Sequence, residues 1–199
     1  MLLENYITTL KQQINKNSET KINIHLPVFG KIKEHCIYLN KEISKITKNQ
    51  IDFTATSFML PHITLYIGFV RNNKDYILLN DKLTTFIKTF KPLKLSFSKP
   101  YIKNNKNYVF IDIVEKDKIF KVKKDLYNII KPYVKDVNWD VVNEPAHITI
   151  AYIENNNTKV NKLISKYTLT EELNVSKINL ALSGNKGSCL GILKEFIKE

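Results

Sequence analysis

One short pattern occurs twice in this chain, as His62-Ile63-Thr64-Leu65 and as His147-Ile148-Thr149-Ile150, the second beginning 85 residues after the first (position 147 against 62). Each copy comes one or two residues after a proline, Pro61 in the first and Pro145 in the second. Each then runs on into apolar and β-branched residues, as a strand does. Side chains alternate along a strand, so His62, Thr64 and Tyr66 are expected on one face with Ile63, Leu65 and Ile67 on the other. The same parity puts His147 and Thr149 together.

The segments downstream of the two copies also match. Strand patterns at 62–69, 93–98 and 108–114 enclose a helical stripe of Tyr76, Leu79, Leu83, Phe86, Ile87 and Phe90; strand patterns at 147–153, 176–182 and 188–193 enclose a shorter helix over 158–167. A strand at 21–28, helices over about 2–13 and 39–49, and a second long stripe of Ile119, Val122, Leu126, Ile129 and Tyr133 complete the reading. Pro92 and Pro132 stand where helices should stop. No Pro/Gly/Ser-rich linker divides residues 1–199, so they read as a single bilobal unit. The expected fold is α+β: two pseudo-symmetric lobes, each with an antiparallel sheet, facing one another across a central cleft with helices outside.

Composition narrows the setting. The longest apolar runs fall far short of the roughly 20 residues that span a bilayer, and the N-terminus MLLENYITTLKQQINKN turns polar too early for a secretory signal. A cytoplasmic protein, monomeric and without membrane contact, is the expectation. Cys36 and Cys189 lie far apart without metal-ligand spacing and read as two reduced thiols. The formal charge of +12 and pI near 9.5 imply attraction to polyanions, nucleotides above all. Almost all of that charge is lysine, with Arg71 the sole arginine, in a chain crowded with Ile and Asn. Such a skew marks an AT-rich coding genome, as in many viruses and some low-GC bacteria. Arginine-built gripping of phosphates and bases is therefore disfavoured, which leaves room for weak RNA binding only.

Two imidazoles and two hydroxyls converging on one small volume suit phosphodiester cleavage. That reaction takes a proton from the attacking oxygen, gives one to the leaving oxygen, and needs donors for charge on the nonbridging oxygens. His62 and His147 would make both transfers, and Thr64 and Thr149 would hold the phosphate. A lone His-x-Thr on a strand is commonly a buried hydrogen-bonded pair. Two copies in matching strands reverse that reading, whereas His25 and His35 have no such context and read as surface or structural. Neither motif is HxH or HExxH, so no metal and no cofactor is expected.

The HITL and HITI tetrapeptides resemble the H-x-T/S-x motifs of the two-histidine (2H) phosphoesterase superfamily, which includes LigT-like RNA 2′,3′-cyclic phosphodiesterases and viral 2′,5′-phosphodiesterases. The resemblance covers most of the chain, and Leu180-Ala181-Leu182-Ser183, followed by Gly184 and Gly187, looks like the family's final hairpin. It implies His62 and His147 as the catalytic pair, Thr64 and Thr149 as phosphate binders, and metal-independent chemistry. LigT-like bacterial members carry an arginine after the second motif, where this chain reads Ala151-Tyr152-Ile153-Glu154. That departure points away from RNA-end processing and toward a small nucleotide with a 2′-linked phosphodiester, such as 2′,5′-oligoadenylate or 2′,3′-cGAMP. Destruction of an immune second messenger by a viral protein is the corresponding biological role. An RNA 2′,3′-cyclic phosphodiesterase or 2′-5′ ligase-like enzyme, an inactive nucleotide-binding module, and a metallohydrolase are the alternatives. Base stacking would fall to Tyr66, on the motif face by parity, and to Phe29, Tyr101 and Tyr152; Lys31, Lys33, Lys99 and Lys103 are candidates to line an anionic cleft.

Overall fold

The structure, a computed structural model, describes residues 19–53, 60–103, 107–154 and 158–198. The helix expected over 2–13 lies outside them. The elements run β1 (Thr20–Pro27), α1 (Gly30–Ile46), β2 (His62–Val70), α2 (Asn73–Thr89), β3 (Leu93–Leu95), β4 (Tyr101–Ile102), β5 (Tyr108–Asp112), α3 (Lys116–Ile130), β6 (Val134–Asp136), β7 (His147–Tyr152), α4 (Thr158–Ile164), β8 (Leu173–Val175), β9 (Lys177–Ser183) and β10 (Cys189–Ile197). All strand pairs among the described residues are antiparallel.

Eight of the strands form two antiparallel half-sheets, β10-β9-β1-β2 with β6 against the far end of β2, and β7-β5-β4. Among the described residues the halves are joined at a single ladder pair, Ile63 with Ile148. The doubled order of the sequence holds, but its spatial arrangement is exchanged. The β4-β5 hairpin, which comes after the first motif, pairs with β7; the β9-β10 hairpin, which comes after the second, pairs with β1 beside β2. The matching short strands β3 and β8 pair with each other. Each lobe is therefore built from both halves of the chain.

Local chemistry accounts for the helices. Asn72 caps α2 by accepting from the Asp75 amide at 3.0 Å, and Asp75 in the first turn opposes the positive end of the helix dipole. Helix α1 begins nine residues before the expected 39, with Gly30 in the left-handed region (φ 60), and buries Ile32, Cys36, Leu39 and Ile43 on one stripe. Its buried Asn40 donates to the carbonyls of Ile51 (2.8 Å) and Ile150 (2.7 Å) and accepts from the Phe53 amide (3.2 Å). A buried amide with three partners fixes α1 against the second motif strand. Both cysteines are buried and free, their thiols pushed up to about 12 (Cys36) and about 11 (Cys189) by burial. No helix among the described residues is long and apolar enough to cross a membrane.

Strands β4, β6 and β8, of two or three residues each, escape sequence reading because so short a run has no period. A second departure has more consequence. The β1-β2 register slips between Ile24–Tyr66 and His25–Thr64, and the β5-β7 register slips between Val109–Ala151 and Phe110–Thr149. Each motif strand thus carries a bulged residue directly after its threonine, Leu65 in β2 and Ile150 in β7. A bulge resets the alternation of faces beyond it.

Candidate active site

Strands β2 and β7 run antiparallel through the Ile63–Ile148 pair, so extending the register by one residue sets Thr64 opposite His147 and His62 opposite Thr149. The four residues form a crosswise square. All four are partly exposed, while Ile63, Leu65, Ile148 and Ile150 are buried beneath them.

Both imidazoles are held in the same way. His62 Nδ1 lies 2.8 Å from the Leu60 carbonyl oxygen, and His147 Nδ1 lies 2.8 Å from that of Pro145. A carbonyl can only accept, so each Nδ1 carries the hydrogen and each Nε2 of the neutral ring presents a lone pair. The prolines contribute locally: Pro61 biases Leu60 toward an extended backbone, from which its carbonyl reaches the ring two residues on.

The surroundings of the two rings differ. Nε2 of His62 receives a hydrogen bond from the Asn23 amide at 3.0 Å, and the buried His25 ring packs on it at 4.6 Å between centroids. Burial lowers the His62 pKa first; the Leu60 carbonyl opposes this, the charge of His147 adds to it, and the Gly187 carbonyl opposes it. His25 is held well below its usual value by burial and then by His62, so it stays neutral. His147 stacks on Phe110, ring centroids 3.8 Å apart and planes 22° off parallel. Its pKa is also lowered mainly by burial, against the Pro145 carbonyl and the carboxylates of Glu144 and Asp112, with Lys103 acting to lower it.

A cleft of about 570 Å³ opens over Thr64, His147 and Thr149. His62 is partly buried behind its rim, between Asn23 and the Gly187 carbonyl. Four lysines, Lys21, Lys103, Lys123 and Lys186, line the walls with Phe110, Tyr108 and Trp139. Lys123 is the unusual one, occupying the buried stripe of α3 between Ile119 and Leu126. Its ammonium donates to the Glu144 carbonyl at 2.6 Å, and burial pulls its pKa down to about 8 despite Glu144 and Asp140. Lys103 pairs with the Glu144 carboxylate at 3.2 Å. Lys186 sits in the left-handed region (φ 56) of the β9-β10 hairpin, its ammonium 4.2 Å from the Tyr152 ring centroid.

Of the expected stacking residues, Tyr66 is elsewhere. The bulge at Leu65 turns it off the motif face and brings Ile67 to the cleft instead. Tyr66 is 1% exposed, and its hydroxyl donates to Asp136 at 2.8 Å. The ring runs over Gly68, where a Cβ would collide with the hydroxyl. Tyr152, beyond the second bulge, stays beside the cleft against Tyr108 (4.7 Å, edge-on). Tyr101 donates to Asp112 at 2.9 Å and meets Phe110 edge-on, outside the lining; Phe29 precedes α1 beneath Lys177. Lys103 lines the cleft as expected, and Lys31, Lys33 and Lys99 do not. Sequence reasoning missed Asn23, Phe110, Tyr108, Trp139, Lys21, Lys123 and Lys186. Two signals were available: Asn23 and His25 share a parity between apolar neighbours, and Lys123 interrupts an apolar helical stripe. Among the described residues, no three His, Cys, Asp or Glu side chains converge as a metal would require.

The two half-sheets with their outer helices give the chain the fold of the LigT-type structures. E. coli LigT complexed with 3′-AMP superposes over 91% of this chain and 99% of that chain, with TM-score 0.63 and 11% identity. TT0787 of Thermus thermophilus matches over 89% and 97%, with TM-score 0.61 and 12% identity. The MHV ns2 PDE domain matches over 77% and 85%, with TM-score 0.50 and 10% identity. No protein-family model matches the sequence, and no curated protein matches it.

Proposed function

We propose that this chain is a metal-independent phosphodiesterase that cleaves 2′-linked phosphodiesters of small nucleotides, 2′,5′-oligoadenylate or a cyclic dinucleotide such as 2′,3′-cGAMP, and so degrades a second messenger. The observation that carries the reading is the crosswise square, two imidazoles with Nδ1 clamped and two threonines opposite them. Lysines on the cleft walls favour an anionic substrate, and Tyr108, Phe110 and Trp139 offer ring faces beside it. Related folds accommodate nucleotides, as in LigT complexed with 3′-AMP, and a phosphodiesterase domain, as in MHV ns2. The 2′-linkage rests on the family resemblance of the two motifs.

The amide donor at Nε2 favours neutral His62, and the carboxylates near His147 favour a proton there. His62 then acts as base and His147 as acid. Water attacks phosphorus as its proton passes to His62 Nε2, which gives up its hydrogen bond from the Asn23 amide in doing so; the bond from phosphorus to the leaving 2′ oxygen breaks as His147 Nε2 gives that oxygen its proton. Thr64 and Thr149 donate to the nonbridging oxygens.

The test incubates the protein and a His62→Ala/His147→Ala variant in EDTA with 2′,5′-oligoadenylate, 2′,3′-cGAMP, its 3′,3′-linked isomer and a nucleoside 2′,3′-cyclic phosphate, resolving products by chromatography. Cleavage of 2′-linked messengers by wild type alone is expected. Preference for the cyclic nucleotide would transfer the protein to RNA-end metabolism, and cleavage of nothing would leave a binding module.

A further inference from the structure

A second cavity, of about 770 Å³, adjoins the catalytic cleft and has no part in the chemistry above. The two share one wall, the Trp139-Asp140-Val141 segment, which contributes to both linings. Trp139 is 49% exposed, and Phe120, on the α3 side of the second cavity, is 43% exposed. These are large exposed aromatics on a chain that buries most of its apolar rings. The cavity also holds Asp136, whose two carboxylate oxygens accept from Tyr66 (2.8 Å) and Tyr127 (2.7 Å). Each oxygen retains a second lone pair, and Asp136 is itself exposed.

The two cavities differ in charge. Four lysines against Asp140 and Glu144 line the cleft over His147, whereas the adjoining cavity has Lys124 as its cation against Asp136 and Asp140. Phosphate is favoured in the first and disfavoured beside Asp136 in the second. A neutral group with a flat ring and hydrogen-bond donors suits the second: rings for Trp139 and Phe120, donors for Asp136. The wall is built to stay in place. The Asp140 carboxylate accepts from the Asn143 backbone amide at 3.1 Å, the Glu144 amide donates to the Asp140 carbonyl at 3.2 Å, and Lys123 holds the Glu144 carbonyl.

We infer that this cavity is a second nucleoside subsite: the base on the far side of the scissile phosphate crosses the Trp139 ridge and lies against Phe120, with an exocyclic amine or ribose hydroxyl donating to Asp136. This deepens the proposed activity and rests on it for the position of the phosphate. It makes the substrate a dinucleotide or longer rather than a mononucleotide.

Trp139 is the sole tryptophan of the chain, so its fluorescence reports the ridge directly. The full-length His62→Ala/His147→Ala protein is titrated with 2′-5′-linked diadenylate and with adenosine 2′,3′-cyclic phosphate, alone and with Phe120→Ala added. The expected result is quenching by both ligands, with diadenylate bound about 10-fold more tightly, an advantage within the range of base–aromatic stacking that Phe120→Ala reduces to about 2-fold. Equal affinity for the two ligands, or a diadenylate advantage indifferent to Phe120→Ala, overturns the subsite. Tight diadenylate binding without cleavage by wild type would instead overturn the enzymatic reading and leave the subsite standing.

Discussion

His62 and His147 occupy equivalent places in a repeated motif, yet they are backed by opposite materials. Behind His62 is a buried polar layer: Asn23, His25 and Asn179 are each no more than 2% exposed, and Asn23 Oδ1, His25 Nδ1 and Asn179 Oδ1 have no hydrogen-bond partner among the described residues. Behind His147 is the face of Phe110, with Glu144 and Asp112 at its edges. The backbone clamp on Nδ1 is the same in both. A duplicated strand therefore fixes tautomer and direction, while the neighbours that each strand acquires make the two rings electrostatically unequal.

The comparison can be broken outright by removing either ring. His62→Ala and His147→Ala are each expected to lower kcat by about 10²- to 10⁴-fold, the usual range for a lost general acid or base, measured on the best of the four nucleotide substrates. Losses of similar size are expected even though the surroundings differ, because the two transfers occur in one reaction. A loss confined to one histidine would mean that the other is structural.

Asn23→Asp sharpens the contrast next. It replaces an amide donor at Nε2 with a carboxylate, which stabilises the imidazolium and raises the His62 pKa. A base works only when unprotonated, so the acidic limb of kcat/KM moves to higher pH, and activity near neutrality falls about 10-fold. An unshifted limb would show that His62 is not the base.

The unaltered protein makes a related prediction. Both imidazoles are lowered from 6.5, so the rise through His62 and the fall through His147 both lie below that value and kcat/KM peaks on the acid side of it. A peak above about pH 7.5 with chemistry rate-limiting would contradict the assignment. Phe110→Leu probes the other ring; loss of the stacked face is expected to cost about 2- to 10-fold in kcat, as aromatic pairs contribute on the order of 1 kcal/mol.

Lys123→Met gives the smallest catalytic effect, a few-fold in KM for an anionic substrate, and a distinct signature in stability. The unfolded chain keeps the Lys123 proton up to about 10.5 and the folded chain only to about 8, so the folded state gains stability as pH rises through that window. Denaturant melts between about pH 7.5 and 10 should show that gain in wild type and lose it in the variant.

Much of this site was legible in the residues themselves. Strand alternation put His62 with Thr64 and His147 with Thr149, and the helical stripes of α2 and α3 were evident from their 3.6-residue period. Alternation failed at Tyr66, because a bulge is a property of pairing between strands and Leu65 carries no mark of it. Lys123 on an apolar stripe was visible as a breach of pattern, but its partner, the Glu144 carbonyl, lies 21 residues away in a loop.

The sequence alone determined what depends on near neighbours in the chain: the repeated strand, the Nδ1 clamp by the carbonyl two residues upstream, the order of helices and strands, and the pairing of imidazole with hydroxyl. Only the tertiary structure decided that the hairpin after each motif pairs in the opposite lobe, that Asn23 meets His62 while Phe110 meets His147, and that a second cavity adjoins the first across Trp139. The reason is physical. Local patterns arise from backbone geometry within a few residues, whereas the choice among strand partners rests on packing summed over the whole core, and two equal motifs cannot encode their own unequal surroundings.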